Sequence, residues 1–285
     1  MDEGCVPCDN NKCGNNPCNP EIGSSASLSS GNLYHNQTLF IIPNSKIQTD
    51  FTLSYNSTDD YTGPLGKGWT HNYNLLLFTN SGSSLGLKQG DGSIVYFRLS
   101  QGAYYPDAGS GDTSTIVKNI DNTYTQTFKD SATFNFNPLG RFTTIKDRNG
   151  NTITLAYSGN DLISITDSTG RSIAITSTNG RITSVTDPAG NIYVLAYTGD
   201  LLTSVKDPMA NTWQYAYNTN NTMLTKTDPQ GYITTYTYDT DGKVILSIDP
   251  EGKTKSITYN QTTNTAAVTE KDGGVWTYRY DPLLN

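Results

Sequence analysis

The sequence predicts an all-β protein made of repeated antiparallel β-hairpins, with no sizeable helix. Three observations carry this. Only 16% of the 285 residues are charged, whereas helical proteins normally cover their surfaces with Lys, Glu and Arg. The 26 Gly and 12 Pro supply enough bends for many short strands. A motif of 20 or 21 residues also recurs through the second half of the chain. The surplus of 19 Tyr over 8 Phe fits the same class, because strands near a wet surface bury aromatic bodies while the hydroxyls reach water or a partner.

Residues 1–20 form a lead-in that holds all four cysteines, Cys5, Cys8, Cys13 and Cys18. This spacing fits a two-disulfide knot, a four-thiolate metal site or a reduced mobile tail. No charged and apolar leader precedes them, which implies a mature form or export by a route that needs no such signal. Residues 21–125 read as a β domain of irregular strands, with a loop at 106–112. From 126 to 285, repeats extend the same sheet.

The repeat has a fixed register. Units begin at Gln126 (a worn copy), Asp147, Asp167, Asp187, Asp207, Asp228, Asp249 and Glu270, spaced 21, then 20 three times, then 21 three times. The first residue is suited to an Asx-turn, a following Pro presets φ, and a Gly three places on supplies positive φ. Ala210 alone replaces that Gly between Asp147 and Glu270. Positions six, eight and ten then alternate as one buried strand face, as in Ile153-Leu155-Tyr157, Trp213-Tyr215-Tyr217 and Trp276-Tyr278-Tyr280. The second strand carries apolar residues five and two places before the next unit, such as Leu162 and Ile165. Three residues apart would put them on opposite faces, so this strand is either buried on both sides or realigned by a β-bulge, and the bulge is the favoured reading. One hairpin cannot bury its face alone, whereas successive hairpins laid side by side can. The aromatic stripe is then core, or a carbohydrate-stacking surface with Trp213, Tyr215, Tyr217, Trp276 and Tyr278 as its binding candidates.

Several function classes are excluded. A net charge of −7 and pI near 4.7 disfavour nucleic acid, and the short apolar runs offer no membrane span. His35 and His71 read as structural residues. Two histidines and no downstream cysteine provide neither a zinc triad nor a Cys–His dyad, and no G-x-S-x-G elbow occurs. The row of turn aspartates could hold Ca²⁺, but it lacks the closing bidentate Glu of an EF-hand. Glycosylation sequons at Asn36, Asn56, Asn220 and Asn260 fit chance in a chain rich in Asn and Thr. The reading is no enzyme and no cofactor.

Tyr238-Asp239-x-x-Gly242-x-Val244 and Tyr280-Asp281 resemble the units of the RHS/YD-repeat family. A second match precedes the repeats: GNLYHNQTLFIIP, DFTLSYNS and GPLGKGWTHNYNL, the last with Gly63, Pro64, Gly66, Gly68, Trp69 and His71. Together these cover about residues 18–285. The resemblance implies a curved, spiralling sheet of hairpins, which in the family closes into a hollow cocoon. Members include bacterial polymorphic toxins that enclose a C-terminal toxin, and teneurin-like adhesion proteins. Toxin members end the shell with a motif containing DPxGL, whereas Asp281-Pro282-Leu283-Leu284 lacks the Gly. Eight units are too few for a closed shell, and the last lacks its second strand. The expectation is a partial shell, a non-catalytic structural segment of an exported, secreted or cell-surface protein. It would serve encapsulation of a toxin cargo or cell-surface contact. Its partner would be the rest of a longer shell, or another copy, at an open edge near 275–281. Alternatives are a carbohydrate-binding adhesion module and a self-assembling extracellular fibre subunit.

Overall fold

The computed structural model describes residues 26–80 and 82–279. The four cysteines and Tyr280 to Leu284 lie outside the described residues. Those described form 26 β-strands and no helix. They divide into two compact units, one comprising 26–35, 55–69 and 195–279, the other 36–54 and 70–194. Each unit therefore combines residues from before the repeats with residues of the repeats.

The early strands are β1 (Tyr34–Ile42), β2 (Thr49–Asn56), β3 (Thr62–Gly63), β4 (Gly66–Lys67) and β5 (Trp69–His71). Here β1, β2 and β5 make a three-stranded sheet, and β3 and β4 a minimal hairpin. A meander follows: β6 (Leu76–Thr79), β7 (Ser84–Lys88), β8 (Ile94–Ser100), β9 (Ala103–Pro106), β10 (Thr115–Lys118) and β11 (Tyr124–Thr127). Residue 126, the start of the worn unit, falls inside β11. The repeats continue without a break through β12 (Thr133–Phe136), β13 (Phe142–Lys146), β14 (Thr152–Ser158), β15 (Asp161–Asp167), β16 (Ser172–Thr178), β17 (Arg181–Thr186) and β18 (Ile192–Thr198). In this second unit the sheet meets its own beginning. Leu77 N donates to Gly140 O at 2.8 Å, and Leu76 bridges Arg141. Gly140 is required there, because a Cβ would lie 2.0 Å from Leu77 O and φ is +76°.

In the first unit run β19 (Leu201–Lys206), β20 (Thr212–Tyr217), β21 (Met223–Thr227), β22 (Ile233–Tyr238), β23 (Val244–Ile248), β24 (Thr254–Asn260), β25 (Thr265–Thr269) and β26 (Val275–Arg279), each antiparallel to the next. Each Asp-opened turn is closed by its carboxylate. Asp147 Oδ1 accepts from Asn149 N (2.8 Å) and Asn151 N (2.9 Å), and Asp187 and Asp207 repeat the pattern. Ala210 holds the glycine conformation, with φ +67°.

The expected bulge is present. Tyr157 faces Leu162 while Ala156 faces Ser164, so Ile163 is skipped and half-exposed. Leu162 and Ile165 thereby share the buried face, at 7% and 1% exposure. Phe136/Phe142, Ser177/Ile182, Tyr217/Met223 and Tyr238/Val244 repeat this arrangement. The difference between 20- and 21-residue units lies in the other turn. Tyr157 is joined to Leu162 through 158–161, whereas Tyr217 is joined to Met223 through 218–222. Between β24 and β25 the connection is longer still and the bulge is lost; Ala266 and Val268, two residues apart, share the face by simple alternation.

Candidate functional site

The most elaborate side-chain assembly lies in the first unit, where 26–35 and 55–69 cover one face of the repeat strands. The two segments are first tied together. Asn32 Nδ2 donates to Asn56 Oδ1 at 2.8 Å, and Leu33 N donates to Ser57 Oγ at 2.8 Å. The Gly63-to-Trp69 string then brings backbone against backbone. Gly63 and Gly66 pair across the hairpin, with Pro64 at the first turn position between them. Lys67 N donates to Asp200 O at 2.8 Å. A Cβ on Gly66 would stand 2.2 Å from that same carbonyl, so only glycine lets the hairpin seat here. Gly68, at φ +72°, passes its carbonyl to Asn56 N at 2.8 Å and delivers Trp69 into the core.

Trp69 is fully buried. Its ring lies 4.9 Å from Tyr215 and 5.2 Å from Tyr55, centroid to centroid, and its Nε1 donates to Tyr217 OH at 2.8 Å. Tyr217 OH in turn donates to Leu202 O at 2.6 Å. That second bond is general. Tyr157, Tyr238 and Tyr259 donate to the carbonyls of Phe142 (2.8 Å), Met223 (2.7 Å) and Val244 (3.1 Å), each 15 residues earlier. In these four units the position-ten tyrosine thus binds its hairpin to the preceding one. Trp69 uses one of these hydroxyls as an anchor, and Met223 N donates to Tyr55 OH at 2.9 Å as a second anchor. Val244 N to Gly31 O, at 2.9 Å, is a third. Burial pushes the Tyr55, Tyr215 and Tyr217 hydroxyls up, which keeps these phenols protonated.

Polar residues interrupt this apolar face where the repeat pattern calls for aliphatic ones. Lys226 stands two residues before a unit start, the place of Ile165 and Val185, and pairs with Tyr215. His35 packs nearby, with ring centroids 6.1 Å from Trp69 and 6.0 Å from Tyr215. His35 is half-buried as a residue, but its Nε2 is enclosed and has no hydrogen-bond partner. Burial, with Lys226 as a like charge, holds its imidazole down to about 3. Lys255 takes the position-six place and is 2% exposed; its Nζ lies 3.0 Å from Glu270 Oε1. Burial pushes Lys255 down, and Glu270 opposes this. In the second unit His71 is buried and stacked 5.0 Å from Phe51. Its Nδ1 accepts from Tyr73 N at 3.3 Å, and burial brings it to about 3.

The sequence-predicted aromatic candidates take different places. Tyr215 is buried, Trp213 and Tyr217 are half-buried, Tyr278 is half-buried, and Trp276 is 61% exposed. Tyr215 and Tyr217 are covered by Trp69 as well as by adjacent repeats. The sequon residue Asn56 is buried, while Asn36, Asn220 and Asn260 are exposed. The Asp147, Asp187 and Asp207 carboxylates spend both oxygens within their own turns; Asp147 Oδ2, for example, also accepts from Asn151 Nδ2 at 2.7 Å. Among the described residues no group of three or more His, Cys, Asp and Glu side chains is placed to hold a metal ion, and no helix is long and apolar enough to cross a membrane. Sequence reasoning missed Tyr55, Lys226 and Lys255. Lys226 and Lys255 were findable as breaks in the periodic apolar pattern; Tyr55 has no such signal.

The teneurin YD-shell family model matches residues 121–281. The chain belongs to the teneurin YD-shell family. A second model, a domain of unknown function (DUF6531), matches residues 23–97. A search of curated proteins finds no match. Among solved structures, this YD-shell chain is similar to the Tc holotoxin pore of Photorhabdus luminescens at 12% identity and TM-score 0.39, over 84% of this chain and 15% of that one. It is also similar to TcdB2-TccC3 without its hypervariable C-terminal region, at 13% identity and TM-score 0.37, over 87% of this chain and 15% of the other. The chain thus spans about 15% of the length of these solved chains. As a YD-shell member it is a structural β segment of RHS/YD type.

Proposed function

We propose that this chain is the opening segment of the β shell of an exported RHS/YD-repeat protein that works at the cell surface or outside the cell and encloses a polypeptide toxin cargo. Residues 1–20 are the lead-in, 21–125 begin and stop the shell, and 126–285 build its wall. The observation that carries this reading is the seating of 26–35 and 55–69 on the repeat sheet through Trp69, Tyr55 and Gly66. A wall whose buried face is filled by the chain's own earlier residues serves as the stopped end of a container. At the other end β26 pairs with β25 and exposes Val275 and Trp276 at 63% and 61%. These are the residues against which the next hairpin of a longer shell, or another copy, would pack.

Two measurements test this. The coding sequence beyond Asn285 is expected to hold further 20- or 21-residue units and then an unrelated C-terminal segment. In the full-length protein, that segment is expected to resist protease until the shell is denatured. A stop codon directly after Asn285, or a C-terminal segment cut as fast in the native protein as in the denatured one, would overturn the reading.

A further inference from the structure

His35 is the one histidine of the first unit, half-buried with its Nε2 enclosed, and neither the wall nor its stopper needs a titratable group there. It is the second residue of β1, and the elements packed on it are β5 through Trp69, β20 through Tyr215 and β21 through Lys226. Trp69 and Tyr215 are neutral. The charge that acts on His35 is Lys226, which is itself partly buried, with Asp228 as the carboxylate acting on it. A proton added to the imidazole would therefore sit beside a cation, with no acceptor at Nε2. A buried unpaired charge is relieved by exposure. The ring it would leave is Trp69, whose Nε1 anchors the 55–69 segment to Tyr217.

We propose that His35 is an acid-sensitive latch: on taking up a proton it releases 26–35 and 55–69 from the repeat strands of the first unit. The latch operates within this chain whatever the longer protein encloses, so its failure and that of the container reading are separable. Three amides report it directly, because each bonds across the seam: Lys67 to Asp200 O, Met223 to Tyr55 OH and Val244 to Gly31 O. Amides internal to β24 and β25 serve as the reference.

The experiment is amide hydrogen exchange on the full chain at pH 7.5 and pH 5, corrected for intrinsic exchange rates. The released imidazole titrates at its ordinary 6.5, so the released state should gain about thirtyfold in population at pH 5. Protection at Lys67, Met223 and Val244 is expected to fall by that factor while the reference amides hold. His35→Phe should abolish the fall, and His71→Phe should leave it intact. Unchanged protection of the three amides in the unmodified chain, or an equal fall in His35→Phe, would sink the proposal. Should His35→Phe not fold, NMR titration of the unmodified imidazole decides. A latch requires His35 to protonate together with loss of the three amides, and protonation near pH 6.5 with the amides still protected contradicts it.

Discussion

Tyr217 carries two bonds that its place in the repeat only half foretold. Periodicity placed it on a covered face, but its acceptor, Leu202 O, and its donor, Trp69 Nε1, are set by packing. Tyr217→Phe keeps the ring and strands both partners, so it is expected to cost about 1–3 kcal/mol in urea unfolding. Ala210 tests the turn chemistry from the other direction. It holds φ +67° at a place where the other Asp- and Glu-opened units carry glycine. Ala210→Gly is therefore expected to stabilise by about 0.5–1 kcal/mol, the relieved backbone strain outweighing the added chain entropy. Both the turn and the position-ten tyrosine were legible because each depends on residues a few places apart.

The bulged hairpin is the element that repeats. Its skipped residue lets two apolar side chains three places apart share one face, and where that residue is Thr its hydroxyl finds the facing strand. Thr143 Oγ1 donates to Asn135 O at 3.0 Å and Thr203 Oγ1 to Ala196 O at 3.1 Å. Ile163 occupies the same place without such a bond. Removing Ile163 leaves Leu162 and Ile165 two places apart, the arrangement that Ala266 and Val268 already use. Its deletion should cost about 1 kcal/mol or less, whereas deletion of Ala156 from the facing strand should cost more than about 3 kcal/mol by turning one side of that strand over. Thermal unfolding of the two deletion variants separates these outcomes. The bulge was readable from spacing alone; the loss of it at β25 was not, because a longer turn substitutes for it there.

Across the molecule, acid acts through groups buried without charge. His35 and His71 are both lowered from 6.5 to about 3 in the fold. Such groups bind protons in the unfolded chain first, so their contribution is complete above pH 6.5 and is lost as pH falls toward 3. Asp167, though partial burial works against it, is held to about 2 by Thr169 and Arg171, and its contribution disappears between pH 3.8 and 2. Stability should therefore fall throughout the acid range, with about 2–3 kcal/mol lost by pH 4 through His71 and less through the half-exposed His35. Guanidinium unfolding at pH 7.5, 5.5 and 4 measures this. A combined His35→Phe and His71→Phe chain should show a flattened profile over the upper part of that range.

By itself the sequence determined the fold class, the repeat register, the turn conformations, the bulge and the family. Each of these is written within a window of about one hairpin, where Asp, Gly and alternating apolar residues act on their own backbone. Only the tertiary structure decided what covers the aromatic face. The bonds that do so join residues 148 and 168 positions apart, Trp69 to Tyr217 and Tyr55 to Met223. Burial is a relation between distant segments, and the covering segments here are aperiodic, so no local pattern announces where they land. For the same reason His35 read only as a structural residue, until the fold set its ring beside Trp69 and a partly buried lysine.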